Sequence, residues 1–151
     1  MIRFDLLGRK LPAVLHETDL KRIGRVVPTV LRVKAKGEVS LGFVGEKEMQ
    51  KLNTHHMEKK RPTDVLSFPA AKEARFREPG APQYWGDLVV CVPYASREAK
   101  RRGIDPREEI VRLIVHGLLH LRGFDHRNDK EELRMFSLQE RLVEKVTPHH
   151  V

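Results

Sequence analysis

Along this chain the hydrophobic positions recur with two different periods, and the switches between them mark the elements. Ile2 to Leu7 reads as a first strand, and Glu38 to Val44 alternates as a strand does. Between them, Leu20, Ile23, Val27, Val30 and Leu31 fall near helical spacing behind a Thr18 or Asp19 cap, and Pro28 is expected to kink or divide that helix. Gly45 opens a short helix with Glu46 and Glu48 in its first turn and Met49 and Leu52 facing inward, while the polar run Asn53 to Arg61 reads as loop. Pro62 to Pro69 is a strand bounded by prolines, which favours a sheet edge. Ala70 to Gln83 reads as a surface loop, and Trp85 to Val92 as the most apolar, central strand. Pro93 begins a helix that Gly103 ends. Asp105 and Pro106 cap the next one, whose run Ile110 to Leu121 is apolar almost all round, the mark of a buried central helix. Asp129 to Val146 forms a last amphipathic helix carrying Leu133, Phe136, Leu138, Leu142 and Val143, before a frayed end at His149 and His150.

The order is strand, helix, strand, helix, two strands, then three helices. It predicts an α+β fold: a small mixed four-stranded sheet packed with about five helices around the Ile110–Leu121 segment. At 151 residues, 1–151 is expected to be a single domain with a proper core.

Composition narrows the class. A 33% charged and 40% hydrophobic chain is an ordinary soluble globule. No apolar run approaches a membrane span, and Met1 to Leu7 lacks a signal-peptide core, so no membrane partner is expected. The single cysteine, Cys91, excludes an internal disulfide, suits a reducing cytoplasm, and is expected on a buried strand as a small hydrophobe. A net charge of +8 fits a polyanion whose phosphates lysines and arginines would neutralise, although a merely solvated surface carries such charge too.

The chemistry concentrates in His116-Gly-Leu-Leu-His120-Leu-Arg-Gly123-Phe-Asp125-His126. One helical turn separates His116 from His120, so both imidazoles point the same way and can grip one ion. Gly123 is placed to end the helix in a left-handed cap and turn the chain so that His126 returns toward the pair. Three imidazoles around a tetrahedral zinc leave one position open, the ligand count of a catalytic site. Core histidines bonded to neighbours are the plainer alternative, but two unpartnered imidazoles on so apolar a helix would cost about 1–3 kcal/mol each. The spacing matches H-E-x-x-H-x-x-G-x-x-H, except that Gly117 replaces the glutamate that serves zinc proteases as general base. That glycine is expected to leave space for a backbone or a substrate. His55 and His56 have no spacing partner and read as solvated residues.

With the histidine segment, Pro62-Thr-Asp-Val-Leu-Ser-Phe-Pro69 and Gly86-Asp-Leu-Val89 all present, the whole chain resembles the YbeY family of bacterial metal-dependent endoribonucleases. The resemblance implies zinc, one ion per chain, on His116, His120 and His126, and cleavage of single-stranded RNA. It also implies a cytoplasmic role in ribosomal RNA processing, chiefly small-subunit 3′-end maturation, and in ribosome quality control. The ribosome or its proteins and assembly factors would be partners. Where the family has an aromatic residue followed by a functionally important arginine, this chain has His56 and Met57. Either Lys59, Lys60 or Arg61 supplies the missing cation, arginine being the better fork for phosphate, or the activity is weaker or differently arranged.

Asp125 is a candidate for proton transfer and, more strongly, for holding an imidazole in its tautomer; Asp64 and Asp87 are weaker candidates, as turn or cap residues. Water or the ribose 2′-hydroxyl could attack. Two other functions compete. In a non-catalytic ribosome assembly factor the zinc would be structural, its fourth ligand Cys91 or a carboxylate. A zinc peptidase would lack its base at Gly117.

Overall fold

The computed structural model describes residues 1–8, 10–57, 64–71, 80–125 and 127–147. Among them are four strands, β1 (Ile2–Leu6), β2 (Gly37–Val44), β3 (Val65–Pro69) and β4 (Gln83–Cys91). Five helices accompany them: α1 (Glu17–Val30), α2 (Glu46–Met57), α3 (Val92–Arg101), α4 (Pro106–Leu121) and α5 (Asp129–Val146). The sheet order is β1-β2-β4-β3, with β1, β2 and β4 parallel and β3 antiparallel at one edge. This is the mixed sheet the sequence predicts, with its proline-bounded strand outermost.

Successive residues of β4 face opposite ways, and the core divides accordingly. Leu88 and Val90 join the larger cluster, with Ile23 and Val27 of α1, Ile114 and Leu118 of α4, and Leu142 and Val143 of α5. Val89 and Cys91 join Met49 and Leu66 in a smaller cluster on the other face, flanked by Leu52 and Tyr94. Helix α4 packs on β3, β4, α1, α3 and α5 and is buried on nearly every side. It is the central helix.

Four local expectations are corrected. Helix α1 is not divided, because Pro28 lies in its last turn. Its cap is His16, and Asp19 sits in the first turn, where its carboxylate accepts the His16 N–H at 2.9 Å. Residues 53–57 are helical rather than loop, and Asn53 is buried. On α5, Leu133 and Phe136 do not face the core: they are 66% and 58% exposed, and the buried stripe is Met135, Gln139, Leu142, Val143 and Val146.

Gly86, at φ 139°, sits where β4 bulges against β2. A Cβ there would lie 2.2 Å from the Phe68 carbonyl oxygen, so the close approach of β3 to β4 requires glycine.

Candidate metal centre

Helix α4 starts as its sequence predicts. The Asp105 side chain accepts the Arg107 N–H at 3.1 Å and Pro106 occupies the first turn. It also ends as predicted, in a left-handed glycine: Gly123 has φ 94°. Gly123 N donates to the His120 carbonyl at 3.0 Å and Phe124 N to the Leu119 carbonyl at 3.0 Å. These two bonds define a Schellman motif, and Phe124 completes it by packing on the main core. The chain thereby turns at Gly123, three residues beyond His120.

His116 and His120 converge. Their Nε2 atoms are 3.0 Å apart, with ring centroids 4.6 Å apart and planes at 77°. Two nitrogens sharing a tetrahedral zinc at roughly 2.0–2.1 Å would stand about 3.3 Å apart. The pair therefore meets nearly as one ion would hold it.

A chain of side chains fixes the outer edge of His116. Gln139 donates through Nε2 to Glu140 at 3.1 Å, which leaves its Oε1 to face His116 Nδ1 at 2.7 Å. An amide oxygen only accepts, so Nδ1 carries the proton and the Nε2 lone pair points inward. Glu140 is gripped in turn by Arg112, whose Nε and Nη2 lie 2.9 and 3.0 Å from its two oxygens. Burial alone would raise the Glu140 pKa, but the bonds from Arg112 and Gln139 outweigh it and hold the carboxyl below its usual range. Gln139 was not among the residues singled out from the sequence. The signal was there: a lone amide inside an otherwise apolar helical stripe must have a partner.

The remaining candidates are distributed as follows. Asp125 lies at the end of the Schellman turn, 47% exposed, and accepts from Arg127 Nε at 3.0 Å. Asp87 is on the face of β4 opposite Leu88 and accepts the Tyr84 hydroxyl; the Asp64 carbonyl accepts Cys91 N–H at 2.9 Å and so extends the β3–β4 ladder. Neither aspartate joins the histidines. Cys91 lies in the smaller core cluster, across the sheet from α4, and burial pushes its thiol pKa up, so it is no fourth ligand for this pair. The space at Gly117 is used for packing: a Cβ there would lie 2.6 Å from Leu88 Cδ2, so β4, not a substrate, passes over it. His126, Arg61, Lys59 and Lys60 fall outside the described residues, as do the side chains of His55, His56 and Met57. Among the described residues no group of three ligating side chains assembles.

Two cavities flank the histidines. One, of about 470 Å³, has His116 and Gln139 in its wall; the other, of about 540 Å³, is lined by His120, Asp125, Arg127 and Arg134. No described helix is long and apolar enough to cross a membrane.

An α+β domain whose buried central helix presents two converging histidines to open cavities has the form of an enzyme. The model of the family described as Endoribonuclease YbeY matches residues 10–147. An endoribonuclease YbeY from Thermobifida fusca is 42% identical over 130 residues, covering 84% of this chain and 83% of the relative. One from Beutenbergia cavernae is 37% identical over 134 residues, covering 87% and 89%. A solution structure of a Thermotoga maritima protein superposes with a TM-score of 0.63 at 28% identity, covering 97% of this chain and 89% of that one. The chain belongs to the endoribonuclease YbeY family.

Proposed function

We propose that this chain is a metal-dependent endoribonuclease that cleaves single-stranded RNA in ribosomal RNA processing, and that zinc is its ion. The observation that carries the metal is the convergence of the two Nε2 atoms while His116 Nδ1 is engaged by Gln139. His116, His120 and, after the Schellman turn, His126 would hold one ion per chain. When bound, zinc supplies Lewis acidity, making a nucleophile available near neutral pH and stabilising charge on the phosphate.

The chain's own groups do the rest. Gln139 keeps the proton on the outer nitrogen of His116, and Glu140 with Arg112 keeps the amide from turning over. Arg127 and Arg134 bring guanidinium groups beside His120, where an RNA phosphate would meet them, and Arg61 is a further candidate for that contact. We assign Asp125 to positioning, because Arg127 holds its carboxylate. Small-subunit 3′-end maturation, ribosome quality control, a cytoplasmic location and ribosome-bound partners belong to the same proposal.

The test is purified protein, with its metals counted by mass spectrometry, incubated with a labelled single-stranded RNA before and after chelation and again after zinc is restored. Cleavage is expected to be lost with the ion and to return with it. Cleavage that survives complete stripping would overturn the metal-dependent reading.

A further inference from the structure

Helix α5 buries one stripe and leaves two large apolar side chains, Leu133 and Phe136, in solvent. Scattered single apolar residues on a surface need no explanation. These two are one turn apart and share a cavity of about 470 Å³ with His116, Asp129, Glu132 and Gln139. That volume is within the roughly 300–1,000 Å³ of small-ligand sites. The aromatic ring, the carboxylates and the candidate metal ligand therefore open onto the same space.

The two flanks of the histidine pair differ in kind. The flank at His120 is mixed in charge: it carries Arg127 and Arg134 beside Asp125 and Glu131, and its two guanidinium groups can meet an anionic backbone. The flank at His116 carries an exposed ring, a leucine and two carboxylates, which repel phosphate and accept hydrogen bonds from amino or imino groups. A nucleotide is asymmetric in the same sense, with an anionic linkage on one side and a flat base with N–H donors on the other.

We infer that the pocket formed by Phe136 and Leu133 is a nucleobase subsite, in which an unstacked base next to the bond being cut lies against Phe136 with its N–H edge toward Asp129 or Glu132. This rests on the nuclease reading above and adds a reason for single-strand specificity, since a base held in a duplex cannot enter. Base–aromatic stacking is worth about 1–3 kcal/mol per base, so its loss corresponds to roughly a 5- to 150-fold weakening.

The test uses the full chain with zinc bound and a single-stranded RNA 12-mer carrying 2-aminopurine, whose fluorescence falls when it stacks. Phe136→Ala is expected to raise KM and Kd for this RNA by about 5- to 150-fold, to remove the quenching and to leave the metal content as it was. Phe136→Trp is expected to retain binding and quenching. As an exposed position, residue 136 tolerates both substitutions without loss of fold. If Phe136→Ala and Leu133→Ala bind and cleave like the parent, the subsite is wrong and the nuclease reading stands. If the parent itself cleaves no RNA, the nuclease reading falls and takes the subsite with it.

Discussion

Helix α4 holds a carboxylate of another helix at two points, and the two grips do different things. Near its start, Arg107 forks onto Asp19 of α1 with bonds of 2.7 and 3.0 Å. Asp19 is 1% exposed, its other partner is the His16 N–H, and the network stops there. One turn further along, Arg112 grips Glu140 of α5, and that network continues through Gln139 to His116. The bonds are alike in length and chemistry. One closes on backbone and can only stabilise the fold, whereas the other ends on a ring nitrogen and sets which nitrogen of His116 faces His120. A buried ion pair is weak evidence of function on its own, and where its chain of bonds terminates is the better guide.

The sharpest break in this contrast is at the ligands. His120→Ala is expected to abolish metal retention and RNA cleavage together, read by metal counting and by a labelled RNA assay. A variant free of metal yet fully active would separate the site from the chemistry. A smaller effect is expected one bond further out. Gln139→Leu keeps the volume but removes the acceptor from His116 Nδ1, so zinc affinity should fall by about 10- to 100-fold. Competition with a chromogenic chelator measures that loss, and imidazole nitrogen shifts in NMR report whether the Nδ1 proton has become mobile. Asp19→Asn, at the Arg107 grip, is expected to leave both readouts unchanged.

Much of this arrangement was legible in the sequence. Asp105-Pro106 and Gly123 delimit α4 because capping is local chemistry that needs no knowledge of the rest of the fold. The edge position of β3 followed from its prolines in the same way. What escaped was governed by tertiary packing. Residues 53–57 look polar, yet the buried Asn53 occupies the inward position expected one turn after Met49, and a polar residue there hides the helical period. Gln139 interrupts the α5 stripe in the same manner. Leu133 and Phe136 therefore look like core positions in the sequence, whereas the buried stripe runs beside them. The converging histidines could be read from spacing, but the partner that sets the tautomer of one of them lies 23 positions away.

Gly117 tests the packing that holds the histidines on course. Gly117→Ala places a methyl group against the end of the Leu88 side chain, which is fully buried and has to shift within the packed core. The overpacking cost of about 1–3 kcal/mol should exceed the gain in helix propensity of up to about 1 kcal/mol, giving a net destabilisation in urea titration. In a double-mutant cycle, Leu88→Ala should cost less in the Gly117→Ala background than alone. Strict additivity would show that the two positions do not meet.

The smallest effect isolates the purely structural grip. Burial would raise the Asp19 pKa, but the Arg107 fork and the His16 N–H outweigh it and leave the carboxyl below its usual 3.8. A folded-state pKa below the unfolded one gives stability that is present above the unfolded value, and it is lost as pH falls from there through the folded value. Asp19→Asn removes the charge and keeps the shape, and should cost about 1–2 kcal/mol near neutrality; Arg107, 40% exposed, can rehydrate once its partner is neutral. Denaturant titrations of both proteins from pH 7 to 2.5 should show this gap constant down to about pH 4 and closing below it. A gap that persists unchanged at the acid end would mean that the Asp19 charge contributes nothing, and that the amide substitution acts through shape alone.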